Sequence, residues 1–158
     1  MTSATVHASA VLVGARAVLV RGPSGAGKSS LVLQLIEAAA AGHLRFARLI
    51  GDDRVELTAA GGRLLVRPAP KLVGLIELRG TGIAQLDYEP CAVVGLVVDL
   101  AADAERLPET STAVIAGIEL PRLAVAREAA ALLAVLALMG PLGARFIDVS
   151  AGLPGSAC

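Results

Sequence analysis

The sequence predicts an α/β fold, a single P-loop-containing domain whose mixed β-sheet is flanked by helices. Three observations predict it. Residues 22–29 read GPSGAGKS and satisfy the phosphate-binding pattern GxxxxGK[ST] at every required position. The apolar run Ala17-Val18-Leu19-Val20 leads into this stretch as a short strand, and Ser29 to Ala41 follows it with apolar residues at helical spacing. Val93 to Leu100 is an almost continuous apolar run, the pattern of a central strand covered on both faces.

The elements follow in order. Val6 to Val13 reads as a strand, Gly14-Ala15 as a turn and Arg16 to Arg21 as the returning strand, a hairpin that runs into the loop. The helix extends from about Lys28 to Ala41 and stops at Gly42, a glycine suited to the left-handed position that ends helices. Phe46 to Ile50 is the next strand and delivers Asp52 and Asp53 at its carboxyl end; this strand is expected beside the one that precedes the loop. Val55 to Leu57 and Arg63 to Val66 flank Gly61-Gly62 as a second hairpin. After Pro68 and Pro70, Leu72 to Leu78 reads as a strand, and Ala113 to Val125 holds one or two more. Arg127 to Met139 makes a closing helix. The domain is expected to span 1–150, with 151–158 a flexible tail.

Composition narrows the function. A chain of 158 residues suits one domain, able to bury roughly 70% of the surface its unfolded form exposes. Its 14 basic and 14 acidic residues cancel, so nothing draws the whole chain to nucleic acid or to an anionic membrane. Aromatic residues are only 2% and Trp is absent, which removes the stacking platforms that single-stranded nucleic acid needs. Cys91 and Cys158 are isolated and form neither a disulfide framework nor a CxxC pair, which points to a reducing cytoplasm. The first 15 residues lack a basic start followed by an apolar core, so no secretory signal is expected. A hydrophobic content of 55% and a mean hydropathy of +0.71 raise the question of a membrane span. The longest apolar run, Ala129 to Gly140, is shorter than the ~20 residues a bilayer requires and meets Pro141, so it reads as a buried helix.

The chemistry gathers in three places. Across Gly22, Pro23, Ser24, Gly25, Ala26, Gly27, Lys28 and Ser29, the glycines let backbone N–H groups turn inward as an anion nest at a helix start. Lys28 would reach the β- and γ-phosphates of a nucleotide, and the Ser29 hydroxyl would take a position on a bridging magnesium ion. A plain glycine-rich turn is the alternative, but the flanking strand and helix favour a phosphate site. Asp52 and Asp53 supply the carboxylates that phosphoryl transfer uses to hold magnesium and to accept a hydroxyl proton. Glu77 and Arg79 share a parity in their strand; they are either a surface ion pair or a metal ligand beside a phosphate-holding cation, and the residues alone leave both open.

The succession GPSGAGKS, GHLRFARLIGDDRVEL and APKLVGLIELRGTGI resembles the catalytic domain of HPr kinase/phosphorylase, and IELRGTG is similar to that family's own signature. The resemblance covers about residues 5–85. It implies an ATP- and magnesium-dependent kinase that phosphorylates a serine of HPr, the small phosphocarrier protein of the bacterial phosphotransferase system, and that removes the phosphate with inorganic phosphate. It also implies roles for named residues. Lys28 corresponds to the P-loop lysine, Ser29 to the magnesium-binding serine, Asp52-Asp53 to the paired acids, with Asp53 favoured as base, and Glu77 to the second magnesium ligand. Ser29, Asp53 and Glu77 thus form the implied metal set, while His7, Lys28, Asp52, Asp53 and Arg79 form the implied catalytic set. His7 corresponds to a family histidine near the partner of the P-loop strand, and Gly80 and Gly82 to glycines that let a strand end approach the phosphates.

The chain also departs from the pattern. It resembles a short form reduced to the catalytic domain, Ser30 stands where longer members have Glu, and Pro121-Arg122 is the nearest counterpart of the family's PGR-type loop. A homo-oligomer is compatible with the resemblance. A small-molecule P-loop kinase and a nucleotide-sensing module without turnover are the alternative readings.

Overall fold

The strands and helices follow one another as β1 (Ser3–Val6), β2 (Ser9–Val13), β3 (Arg16–Arg21), α1 (Lys28–Ala40), β4 (Ala47–Gly51), β5 (Val55–Ala60) and β6 (Arg63–Pro68). A 3-10 turn at Pro70–Leu72 leads to β7 (Leu75–Leu78), β8 (Gly82–Gln85), β9 (Ala92–Leu100), β10 (Ser111–Ile115), β11 (Ile118–Val125) and α2 (Glu128–Met139). The computed structural model describes residues 2–101, 103 and 111–144. The expected tail at 151–158 and the end of the expected 1–150 domain lie outside the described residues.

Nine strands form one mixed sheet, along which β1, β5, β6, β9, β3, β2 and β4 are successive neighbours; β10 and β11 complete it. As the apolar run at 93–100 predicts, β9 is the central strand. One of its edges pairs in parallel with β3. The other edge is shared, antiparallel to β6 at Ala92 and Val93 and parallel to β11 from Val97 to Leu100. The sheet therefore forks at β9 and curls.

Each face of the curled sheet has its own core. In β3, Val18 and Val20 face one side and Ala17 and Leu19 the other, and all four are fully buried. On the first side, Val11, Val18, Val20 and Val98 pack against Leu31, Val32 and Leu35 of α1 and Ala131 and Val135 of α2. On the second, Leu19, Ile50 and Val97 pack against Val55 and Leu57 of β5 and Leu64 and Val66 of β6, so the sheet covers itself. Each large aliphatic side chain buried this way contributes about 1.5–3 kcal/mol. The strand β9 serves both cores, and a bulge at Gly95 puts Val94 in the second core although it shares the parity of Leu96, which lies in the first. The register between β3 and β9 shifts between Ala17 and Val18, which face Val94 and Leu96 and leave Gly95 unpaired as a bulge. A Cβ at Gly95 would lie 2.8 Å from Cβ of Arg16, so the bulge is confined to glycine.

Several boundaries differ from the sequence reading. The strand expected at Val6–Val13 is broken at His7-Ala8: β1 pairs with β5, whereas β2 pairs with β3 and β4. The Ala8 N–H donates to the Asp53 carbonyl at 3.1 Å, which turns the chain from one part of the sheet to the other. The strand β4 is not the neighbour of β3; β2 lies between them, so Asp52 and Asp53 leave the sheet one strand further from the loop than expected. The strand expected at Leu72–Leu78 begins only at Leu75, because Pro70–Leu72 is a 3-10 turn and Gly74 has φ +73°. It pairs with β8, which the sequence reading omits. Helix α1 ends as expected: with Ala41 as cap, Gly42 takes φ +85° and donates to Ala39, and His43 donates to Ala38, a Schellman motif.

The parallel trio β3–β9–β11 is tied by charge where it approaches the loop. Asp99 accepts from Arg21 at 2.7 and 2.8 Å and from Arg122. Burial pushes the Asp99 carboxyl up, but the hydrogen bonds and charges of Arg21 and Arg122 outweigh it and hold the group below the ordinary aspartate range. A lowered folded-state pKa contributes stability above the unfolded value, and this is lost as pH falls through the folded one. The stability deficit of Asp99→Asn, measured by urea unfolding, is therefore expected to be full at pH 7 and to shrink below about pH 4. A deficit independent of pH would show that the carboxylate's charge does not hold the trio.

Candidate active site

The loop between β3 and α1 takes its shape from glycine. Gly25 has φ +84°, and Gly27, the N-cap of α1, has φ +101°, a region that side chains other than glycine's enter at a cost. Space is a second constraint. A Cβ at Gly25 would lie 2.9 Å from Nη2 of Arg79, and one at Gly27 would lie 3.1 Å from the Glu128 carboxyl. The loop is thus flanked by a cation from the β7–β8 turn and an anion from α2. Lys28 is buried, and its Nζ donates to the carbonyls of Gly22 at 2.8 Å and Pro23 at 3.0 Å, which closes the loop on itself. The Ala26 N–H also donates to the Pro23 carbonyl at 3.1 Å.

The two adjacent acids have opposite environments. Asp52 is only 4% exposed. Its Oδ1 accepts from the hydroxyls of Ser9 and Ser29, both at 2.7 Å, and its Oδ2 accepts from the Glu77 N–H at 3.2 Å. Three donors compensate the buried charge, and they join β2, α1 and β7 to the end of β4. Asp53 turns the other way. Its φ of +67° is the left-handed conformation, which costs an L-residue about 1–2 kcal/mol. Two backbone bonds hold it: the Asp53 carbonyl accepts from Ala8, and its N–H donates to the Ser9 hydroxyl at 3.3 Å. Its exposed carboxylate accepts from Nε2 of His7 at 2.9 Å.

These groups line one cavity of about 510 Å³. His7, Ser24, Gly25, Gly27, Lys28, Ser29, Asp52, Asp53, Glu77 and Arg79 all face it, so the structure brings together the residues that three sequence segments nominate. Gly22, Pro23 and Ala26 are not on its wall; they shape the loop behind it. Arg79 is not a strand residue in parity with Glu77 but sits in the turn after β7, closed by the Thr81 N–H donating to Leu78 at 3.0 Å. Glu77 and Arg79 are not paired with each other; the ion pairs among the described residues are His7–Asp53, Arg21–Asp99, Arg48–Glu89 and Arg122–Asp99. Arg122, the nearest counterpart of the PGR-type loop, is committed to Asp99 and does not line the cavity.

Sequence reasoning missed Ser9, Leu33 and Glu128. Ser9 is a fully buried hydroxyl in an otherwise apolar strand, and such a group needs a partner. Glu128 is the only charged residue of α2. Ser9 and Glu128 each had a signal, but only the fold supplies the partner; Leu33 is one apolar residue among many in α1 and had none.

Comparison with known proteins identifies the family. The family model described as HPr Serine kinase C-terminal domain matches residues 1–89, a span that contains every nominated site residue. The chain belongs to this family. An HPr kinase/phosphorylase from Exiguobacterium sp. is 48% identical over 67 residues, covering 42% of this chain and 19% of that protein. An HPr kinase/phosphorylase from Limosilactobacillus reuteri is 33% identical over 135 residues, covering 77% of this chain and 40% of that protein. The chain therefore spans between about a fifth and two-fifths of these relatives. The structure of the Hpr(Ser) kinase/phosphatase from Coxiella burnetii superposes with a TM-score of 0.70 at 24% identity, over 85% of this chain and 93% of that one, a likeness of fold.

The junction at Asp52 generates a stability test. Asp52→Ala leaves two hydroxyls and a backbone N–H without their acceptor and is expected to cost at least ~2 kcal/mol, read as a lowered urea midpoint. Asp53→Ala, at an exposed side chain, is expected to shift the midpoint much less. Equal effects would contradict the division of the pair.

Proposed function

We propose that this domain is an ATP- and magnesium-dependent protein kinase that transfers phosphate to a serine of HPr. The observation that carries the reading is the geometry of the acids: Asp52 is fixed to the loop serine, Ser29, while Asp53 faces the same cavity and is held by His7. Paired carboxylates with separate tasks are what phosphoryl transfer to a hydroxyl demands.

The residues fit magnesium. Ser29, Asp53 and Glu77 offer hard oxygen ligands on one cavity wall. Magnesium usually keeps several waters and substrate phosphates in its shell and takes only one or two carboxylates from the protein. Bound there, magnesium would neutralise charge on the phosphates being transferred. The Ser29 hydroxyl donates its hydrogen bond to Asp52, so its lone pairs are free to face the ion.

The protein groups divide the remaining work. The loop N–H groups and Lys28 hold the β- and γ-phosphates, and Arg79, beside Gly25, faces the charge that develops on the transferring group. Asp53 takes the proton of the attacking serine hydroxyl, and His7 orients the carboxylate through the 2.9 Å contact. Run in reverse with inorganic phosphate as acceptor, Asp53 returns that proton to the serine oxygen as its bond to phosphorus breaks. An HPr serine side chain is short, so the exposure of Asp53 is what lets a protein substrate reach it.

The direct test is incubation of the protein with γ-labelled ATP, magnesium and HPr, followed by location of the label. Label on a serine of HPr is expected; ATP turnover with a metabolite acceptor, or no turnover, would sink the proposal. Lys28→Ala is expected to lower the transfer rate by ~100-fold or more while the circular dichroism spectrum persists. For the proton acceptor, Asp53→Asn is expected to abolish transfer. Retention of transfer by Asp53→Asn would remove Asp53 from the base role.

A further inference from the structure

Glu128 is the first residue of α2, and its carboxylate reaches across to Gly27, on the wall of the cavity. Its Oε2 atom is shielded from solvent and has no hydrogen-bond partner, the only such side-chain atom among the described residues. An ionised carboxylate oxygen removed from water without a donor is costly, and buried polar groups of this kind are ordinarily satisfied. A donor on whatever enters the cavity would satisfy it.

Its chemistry can be narrowed. Phosphate oxygens are acceptors and carry negative charge, so they repel this atom. The phosphate-binding groups, Lys28 and Ser29, sit at the loop, while Ser30 and then Leu33, one turn further along α1, give the wall beyond them a hydroxyl and an apolar surface. A ligand whose phosphates fill the loop would lay its uncharged half along that wall.

We infer that Glu128 accepts a hydrogen bond from the nucleoside half of the bound nucleotide, a sugar hydroxyl or a base amino group, and so separates a nucleotide from bare polyphosphate. This rests on the nucleotide reading of the cavity and adds a specificity-determining residue that lies outside the span matched by the family model. A carboxylate is the usual acceptor for ribose hydroxyls in other nucleotide sites.

The test is calorimetric titration of the full chain, with magnesium, by ATP, 2′-deoxy-ATP, 3′-deoxy-ATP, the purine ribonucleoside triphosphate lacking the 6-amino group, and tripolyphosphate. Glu128→Ala is expected to weaken ATP by about tenfold or more and leave tripolyphosphate unchanged, with the isosteric Glu128→Gln intermediate. One analogue should bind the unsubstituted protein as weakly as ATP binds Glu128→Ala, and its identity names the donor. The inference is overturned if Glu128→Ala leaves ATP affinity unchanged or raises it, as a carboxylate that merely repels phosphate would. It is equally overturned if ATP and tripolyphosphate weaken by the same factor, or if every analogue binds like ATP. Binding of both ligands with no effect of Glu128 removes this inference alone. Failure of the unsubstituted protein to bind either ligand removes the nucleotide reading with it.

Discussion

The carboxylate of Asp52 is the constraint on which the rest of the site depends. It is a buried charge, and three donors from three different elements compensate it: Ser9 on β2, Ser29 on α1 and the backbone of Glu77 on β7. Because an unsatisfied partner in this setting is expensive, none of the three elements can shift without cost to the others. The glycine-rich loop, the acidic turn and the Glu77–Arg79 segment are distant in sequence, and this one group sets their spacing. The positive φ of Asp53 belongs to a tight turn at the same place, closed by the Arg54 N–H donating to the Asp52 carbonyl at 2.7 Å.

That arrangement gives two identical side chains different chemistry. Asp52 is buried with three donors on it and suits a fixed role; the side chain of Asp53 is exposed and has a single partner in His7. Position in the sheet, not residue type, distinguishes them. The same principle applies to the cations. Lys28 is spent partly on closing its own loop, whereas Arg79 lies beside Gly25 and is not paired with Glu77.

Local signals were legible in the sequence. The turns at Gly14-Ala15 and Gly61-Gly62, the stop at Gly42 and the loop itself need only the chemistry of adjacent residues, and the structure has each of them. The central strand was legible from its unbroken apolar run. What failed was neighbourhood. No Gly or Pro marks His7-Ala8, so the break there is invisible until Asp53 arrives to capture Ala8. The insertion of β2 between β3 and β4 is a choice of partner, and β-pairing is not encoded by a strand's own pattern. Gly95 carried the mark of a bulge, a glycine inside a strand run, but its effect on facing appears only when both cores exist. In the site, the residues of the loop and the acidic pair were legible because their types are chemically demanding; Ser9 and Glu128 were not, because each acts on a partner far along the chain.

The fork at β9 bears on where this domain can be cut. The family match ends at residue 89, and β9 begins at Ala92. Every nominated catalytic group lies before that point, yet the strand that joins β3 to β6 and lines both cores lies after it. The segment that names the family is therefore not a folding unit. Its loop and acids keep their places only while a later part of the chain fills the sheet between β6 and β3, so chemistry and scaffold are written in different halves of the sequence.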